Sequence, residues 1–145
     1  MLALRPYVAS TDENFVRATW SRSYKQSRDV GPVPSNLYWP LIGATITELL
    51  DRPASVTTVA VSADDHEQIL GYVCHEPNKV VHYIFVKETF RRLGVGRVLL
   101  NHATGDRDKF TYTFRTQACR NIPAPFDGTY NPAHVRRKPI GDARH

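Results

Sequence analysis

Val80-Val81-His82-Tyr83-Ile84-Phe85-Val86-Lys87-Glu88-Thr89-Phe90-Arg91-Arg92-Leu93-Gly94-Val95-Gly96-Arg97-Val98-Leu99-Leu100 is the stretch on which the fold turns. It opens with an unbroken apolar and aromatic run, rich in β-branched residues, the pattern of a buried strand. It then passes through a basic, glycine-bearing bend. Beyond the bend, Val95, Val98 and Leu99 recur at i, i+3 and i+4, which predicts a helix with a core-facing stripe. The bend carries the chemistry. Gly94 and Gly96 let the backbone approach a bulky ligand and turn its N–H groups outward. A helix that begins there adds unpaired amide donors and the positive end of its dipole. Arg91, Arg92 and Arg97 set cations around the same bend. Residues of these types in this order make a seat for phosphate or pyrophosphate. A plain strand–helix connection with solvated arginines is the alternative.

Two familiar glycine loops fit worse. The dinucleotide fingerprint G-x-G-x-x-G needs a third glycine where Leu99 stands. The P-loop needs Gly-Lys-Ser/Thr, which the chain lacks. Arg91-x-x-Gly94-x-Gly96, directly after a strand ending in Val86, instead resembles the acetyl-CoA signature Q/R-x-x-G-x-G/A of the GNAT N-acetyltransferase family. The resemblance is strongest over residues 68–115, where strand, signature and helix fall in order.

Composition sets the frame. A chain of 145 residues predicts one domain, 1–145, long enough to bury a core. Hydrophobic content of 41% and charged content of 23% are ordinary for a soluble domain. No apolar run is long enough for a membrane span, and Met1–Pro6 is too short for a signal peptide. Cys74 and Cys119 stand far apart without spaced partners, so neither a metal site nor a disulfide framework is expected. Two reduced thiols in a cytoplasmic protein is the expectation. Residues 1–108 balance 12 Lys+Arg against 12 Asp+Glu, whereas residues 109–145 hold 7 against 2. The excess charge therefore lies in a basic, loop-rich segment from about residue 118. It favours anionic partners: nucleic acid, an acidic protein face or the phosphates of CoA.

Along the chain, Leu2–Arg5 predicts a short strand stopped by Pro6. Ser10 or Thr11 caps a first helix with Asp12 and Glu13 in its first turn and an apolar stripe of Phe15, Val16, Thr19, Trp20 and Tyr24. Gly31-Pro32-Val33-Pro34 is a loop. A second helix runs to about Asp51, capped by Ser35 or nearer Tyr38, since Pro40 suits a helix start. Tyr38 and Trp39 at its entrance are half-exposed packing residues or part of an acceptor wall. Val56–Val61, Ile69–His75 and the strand from Val80 form an antiparallel meander. Lys109–Arg115 is a further strand. Ile122–Gly128 and Tyr130-Asn131-Pro132 read as turns.

The element order strand, helix, helix, strand, strand, strand, helix, strand resembles the GNAT core. That implies an α/β (α+β) fold: a mixed, twisted, mostly antiparallel sheet, helices on both faces, and a splayed wedge that admits acyl-CoA. The strand–helix–strand unit also looks like small GNAT-like proteins of bacteriophages and prophages. The resemblance implies acetyl-CoA (or CoA) as co-substrate and an unidentified amine as acceptor. Backbone groups at Phe85 and Val86 would pair with the pantetheine arm. The amides of Arg92, Leu93, Gly94, Val95, Gly96 and Arg97 would hold the pyrophosphate, with Arg91 and Arg92 screening its charge.

Many family members place a glutamate 11 residues before the motif, and that position is Val80 here. Strand alternation puts Val80, His82, Ile84 and Val86 on one face. His82 is then the titratable group there, with a reference pKa of about 6.5 that suits a base at neutral pH. The bland alternative is a packed, hydrogen-bonded histidine. For the thiolate acid the family commonly uses a tyrosine beyond the strand after the helix, and Tyr130 is the match; a structural plug is its alternative. The missing glutamate also motivates a binding protein of this fold that has lost its chemistry, such as a phage factor acting on a host protein.

Overall fold

The structure, a computed structural model, describes residues 2–27, 30–77, 80–115 and 126–133. Strands β1 (Leu2–Pro6), β2 (Val56–Ser62), β3 (Ile69–Glu76), β4 (Val80–Val86), β5 (Lys109–Tyr112) and β6 (Asp127–Tyr130) form one sheet in sequence order. The first four pair antiparallel; β5 runs parallel to β4, and β6 parallel to β5. The parallel step from β4 to β5 is made by helix α3 (Val95–Thr104), as such a crossover requires.

The sheet has a core on each face. Helices α1 (Ala9–Lys25) and α2 (Ser35–Asp51) cover one side, where Val16, Trp20, Ile46, Leu49, Val59, Tyr72 and Tyr83 pack together. Helix α3 covers the other with Leu99, Leu100 and Ala103 against Ala60, Val73 and Val81. Strand alternation explains the division: Val59 and Val61 go to one cluster and Ala60 to the other. Trp20 stacks on Tyr83 at 4.8 Å and meets Phe114 edge-on, so α1 is anchored over β4.

The expected helix starts shift slightly. α1 begins at Ala9 with Val8 as N-cap, rather than at Ser10 or Thr11. The reason is Asp12, whose carboxylate accepts from the Val8 N–H at 2.8 Å and from Arg5 at 2.7 and 2.9 Å. Those Arg5 hydrogen bonds, acting against burial, hold the Asp12 carboxyl below its usual value. α2 begins at Ser35 with Pro34 as N-cap, and Pro40 lies inside it. Asn36 and Pro40 are exposed, so water can serve the carbonyl that a proline N–H would have bonded. Pro6 is part of β1, tolerated because β1 is an edge strand.

Two strands differ from expectation. β5 stops at Tyr112 rather than Arg115. Asp127–Tyr130, read as turn residues, form β6. Aspartate and glycine disfavour strands, but packing overrides this: a Cβ on Gly128 would stand 2.8 Å from Phe110 Cζ. Cys119, the loop at 122–125 and the basic residues 136–138 lie outside the described residues. No helix of the described residues is long and apolar enough to cross a membrane.

Candidate active site

The site is built around the two ends of β4. At its start, β4 pairs with β5 at Val80 and Val81, and the Thr113 N–H donates to the Val81 carbonyl at 3.1 Å. From Tyr83 to Val86, among the described residues, no strand partner stands on that side. β4 and β5 therefore part, and Ile84, Phe85 and Val86 are half-exposed at the opening. β3 stays in register with β4 up to Val86. Gly71 makes this close: a Cβ there would stand 2.4 Å from the Phe85 carbonyl oxygen. A glycine inside a strand pattern was the signal for that approach.

Past Val86 the chain makes a single 3-10 turn at Glu88–Phe90 and reaches the bend. Arg92 and Gly94 both take left-handed backbone angles, φ 69° and 86°. Gly94 is the N-cap of α3, and no side chain caps the helix. Its first intrahelical bond runs from Val98 N–H to the Gly94 carbonyl at 3.1 Å. The amides of Val95, Gly96 and Arg97 precede that bond and have no helical acceptor. Arg91, Arg92, Leu93, Gly94 and Arg97 are exposed. Val95 itself is buried and Gly96 half-exposed. Arg91 adds a detail: its Nε donates to the Val86 carbonyl at 3.0 Å. Phe85 faces its carbonyl toward Gly71 of β3, and the Val86 carbonyl is taken by Arg91.

The closed end of β4 holds a buried polar chain. His82 is fully buried; Nδ1 lies 2.9 Å from Thr113 Oγ1, and Nε2 lies 2.8 Å from Glu76 Oε2. Arg52 NH1 donates to the same Glu76 oxygen at 3.1 Å. Burial raises the Glu76 pKa, but hydrogen bonds from His82 and Arg52 outweigh it and leave the carboxyl below its usual value. The ring is not on the face that simple alternation gives. Residues 81 and 83 pair with 75 and 74, so β4 bulges at His82. A bulge shifts the phase of the side chains. His82 thus meets Glu76, tied to Arg52 at the end of α2, while Ile84 and Val86 pack with α3. Sequence reasoning missed Glu76, Thr113 and Arg52, because none carries a local motif.

Tyr130 lies on the α3 side, its ring 5.6 Å from Tyr112, with the Arg115 guanidinium 4.8 Å over it. His82 and Tyr130 are therefore not brought together; a strand and a face separate them. Tyr38 is buried, its hydroxyl donating to the Ser21 carbonyl at 2.6 Å, whereas Trp39 stays exposed. Burial pushes the Cys74 thiol up to about 12, so it stays neutral. Among the described residues, no group of three His, Cys, Asp or Glu side chains is placed to hold a metal.

Comparison with known proteins fits this geometry. Over residues 15–121 the chain matches the family model described as the acetyltransferase (GNAT) family. No curated protein matches it significantly. Among solved structures, a Pyrococcus furiosus protein assigned as an acetyl transferase aligns with 97% of this chain and all of its own, at 17% identity and a TM-score of 0.61. Apo YjaB from Escherichia coli covers 72% of this chain at 23% identity and a TM-score of 0.53; this chain spans 65% of its length. The PaiA N-acetyltransferase of Thermoplasma acidophilum, solved with coenzyme A, covers 72% of this chain and 70% of its own at 15% identity and a TM-score of 0.50. At these identities the likenesses show the fold. The family model runs from within α1 through β5, across the parting of β4 from β5 and the glycine bend, and the chain belongs to the acetyltransferase (GNAT) family.

Proposed function

We propose that the protein transfers the acetyl group of acetyl-CoA to the nitrogen of an amine. The observation that carries this is the bend at Gly94, whose left-handed angle starts α3 with no side-chain cap beside the opening of the sheet. In this reading the amides of Arg92 to Arg97 bind the pyrophosphate, where an anion meets both free N–H donors and the helix dipole. Arg91 and Arg92 add charge-assisted hydrogen bonds. The pantetheine arm runs along Phe85 and Val86, and Arg91 leaves the Val86 carbonyl to meet phosphate.

The amine nitrogen attacks the thioester carbonyl; a C–N bond forms and the C–S bond breaks. The nitrogen loses a proton and the thiolate gains one. His82 is the proposed acceptor of the first proton. Tyr130, on the same face as Ile84 and Val86, is the proposed donor of the second. Positioning of amine and thioester supplies a large part of the rate.

The test is thermal unfolding with acetyl-CoA, followed by CoA release with a panel of amines. The wild type is expected to melt at higher temperature with acetyl-CoA, and Gly94→Asp is expected to lose that shift. No shift at millimolar acetyl-CoA ends the proposal. A second reading draws on Val80 and on the engagement of both His82 nitrogens. It is a GNAT-fold binding protein without turnover, and the narrower likeness to phage and prophage proteins belongs with it. Acetyl-CoA binding without CoA release from any amine favours this second reading.

A further inference from the structure

The Glu76–His82–Thr113 chain ends where β4 and β5 part, and this placement has a chemical consequence. Thr113 is the first residue beyond β5, and its N–H holds the Val81 carbonyl. Its side chain, only 3% exposed, therefore lies in the floor of the fork rather than in the opening. At the other end Glu76 is fixed by Arg52, which is also paired with Glu48 at 3.0 Å. An ionised carboxylate only accepts hydrogen bonds. Glu76 thus requires a proton on His82 Nε2, which leaves Nδ1 as an acceptor for the Thr113 hydroxyl. Thr113 then donates to His82 and His82 to Glu76, which only accepts; the His82 carbonyl, 3.5 Å from the Thr113 hydroxyl, is the longer alternative acceptor.

We propose that Glu76, His82 and Thr113 form a proton relay that draws the proton from the acceptor nitrogen at the fork into the closed end of the sheet; this rests on acetyl transfer as the activity. As the C–N bond forms, the nitrogen gives its proton to Thr113 Oγ1. The hydroxyl proton passes to His82 Nδ1, and the imidazolium is held by ionised Glu76. The C–S bond breaks and the thiolate takes its proton from Tyr130; the proton on His82 passes back through Thr113 to solvent, and Tyr130 regains one from solvent, which resets both groups. One proton is lost from nitrogen and one gained by sulfur. Thr113 meets the reacting nitrogen; Glu76 and Arg52 are positioning residues, because they act through His82.

Among the described residues, Glu76 and His75 of β3 act on His82, and Arg52 at the end of α2 reaches it through Glu76. His75 is held neutral, its pKa lowered to about 4 by burial first and then by His102 and His82. Thr113, which is uncharged, faces the ring from the β5 side. Glu76 is therefore the carboxylate that sets the tautomer.

Two measurements test the relay. The first is the ¹⁵N spectrum of the His82 ring in the full chain at neutral pH. A proton on Nε2 and a bare Nδ1 are expected; a proton on Nδ1 overturns the proposal whatever the activity. The second is the pH profile of kcat. Thr113→Val is expected to lower kcat more than tenfold while the KM for acetyl-CoA stays within twofold, and Thr113→Ser is expected to restore it. Glu76→Gln is expected to move the acidic limb of kcat to lower pH, because the imidazolium loses its counter-charge. Turnover by Thr113→Val at the wild-type rate overturns the relay and leaves acetyl transfer standing. Failure of the wild type to acetylate any amine overturns both.

Discussion

The two ends of β4 treat polar groups in opposite ways. At the open end, the bend from Arg91 to Gly94 is exposed and α3 starts without a side-chain cap, while Arg91 holds the Val86 carbonyl. At the closed end, Glu76, His82 and Thr113 satisfy one another within the core. In the proposed function the first end recognises by main chain, so its side chains would matter little beyond glycine and charge. The second would act by side chains, each held in one orientation by its partners. A group left open is available to bind; a group fully partnered is available to hold geometry or pass a proton.

Perturbing the closed end gives the largest expected effects. His82→Leu leaves Glu76 and Thr113 without their partner, and a loss of about 4 kcal/mol in denaturant unfolding is expected. A loss under about 1 kcal/mol would mean that the network is loosely formed. Next is the response to acid. His75 is buried, neither ring nitrogen has a partner among the described residues, and burial with two neighbouring histidines lowers its pKa from 6.5 to about 4. The unfolded chain takes up this proton and the folded protein does not. Stability is thus expected to fall as pH drops from about 6.5 to 4, by up to about 3 kcal/mol. His75→Phe is expected to flatten that part of the denaturation midpoint against pH.

At the open end the folded state tolerates change and binding does not. A Cβ on Gly94 meets open space, so Gly94→Asp costs only the strain of its left-handed angle, about 1 kcal/mol. The added carboxylate faces the phosphate seat, and about hundredfold weaker acetyl-CoA binding by calorimetry is expected, near 2.7 kcal/mol. Equal losses of fold and affinity in this variant would erase the contrast between the two ends. The smallest effect belongs to Arg91→Ala. Arg91 loses a phosphate contact but also vacates the Val86 carbonyl, so about fivefold weaker binding, near 1 kcal/mol, is expected.

The same contrast decides what the sequence could reveal. The bend was legible because its parts are consecutive: a β-branched run, spaced glycines and a helical stripe. The meander and three helices followed from local periodicity for the same reason. The closed end was not legible. Glu76 and Thr113 are joined to His82 by β3–β4 and β4–β5 register and Arg52 only through Glu76, and a bulge at His82 overrides the alternation that register implies. β6 was missed because its residues are poor strand formers held by neighbours, with Gly128 making room for Phe110 and Tyr112. Asp12 shows the middle case: helical spacing placed it in the first turn, but its partner Arg5 came from the preceding strand.

Helix α3 has glycine in the left-handed conformation at both of its ends, Gly94 before it and Gly105 after it. The N–H groups of Gly105 and Asp106 donate to the carbonyls of His102 and Asn101 and close its last turn. It can neither lengthen nor slip a turn along the sheet. The donors at its head are consequently fixed before any carrier arrives, and docking sacrifices little chain freedom. Association governed by diffusion and charge, with rates that fall as salt rises, is the kinetic signature of such a ready-made peg.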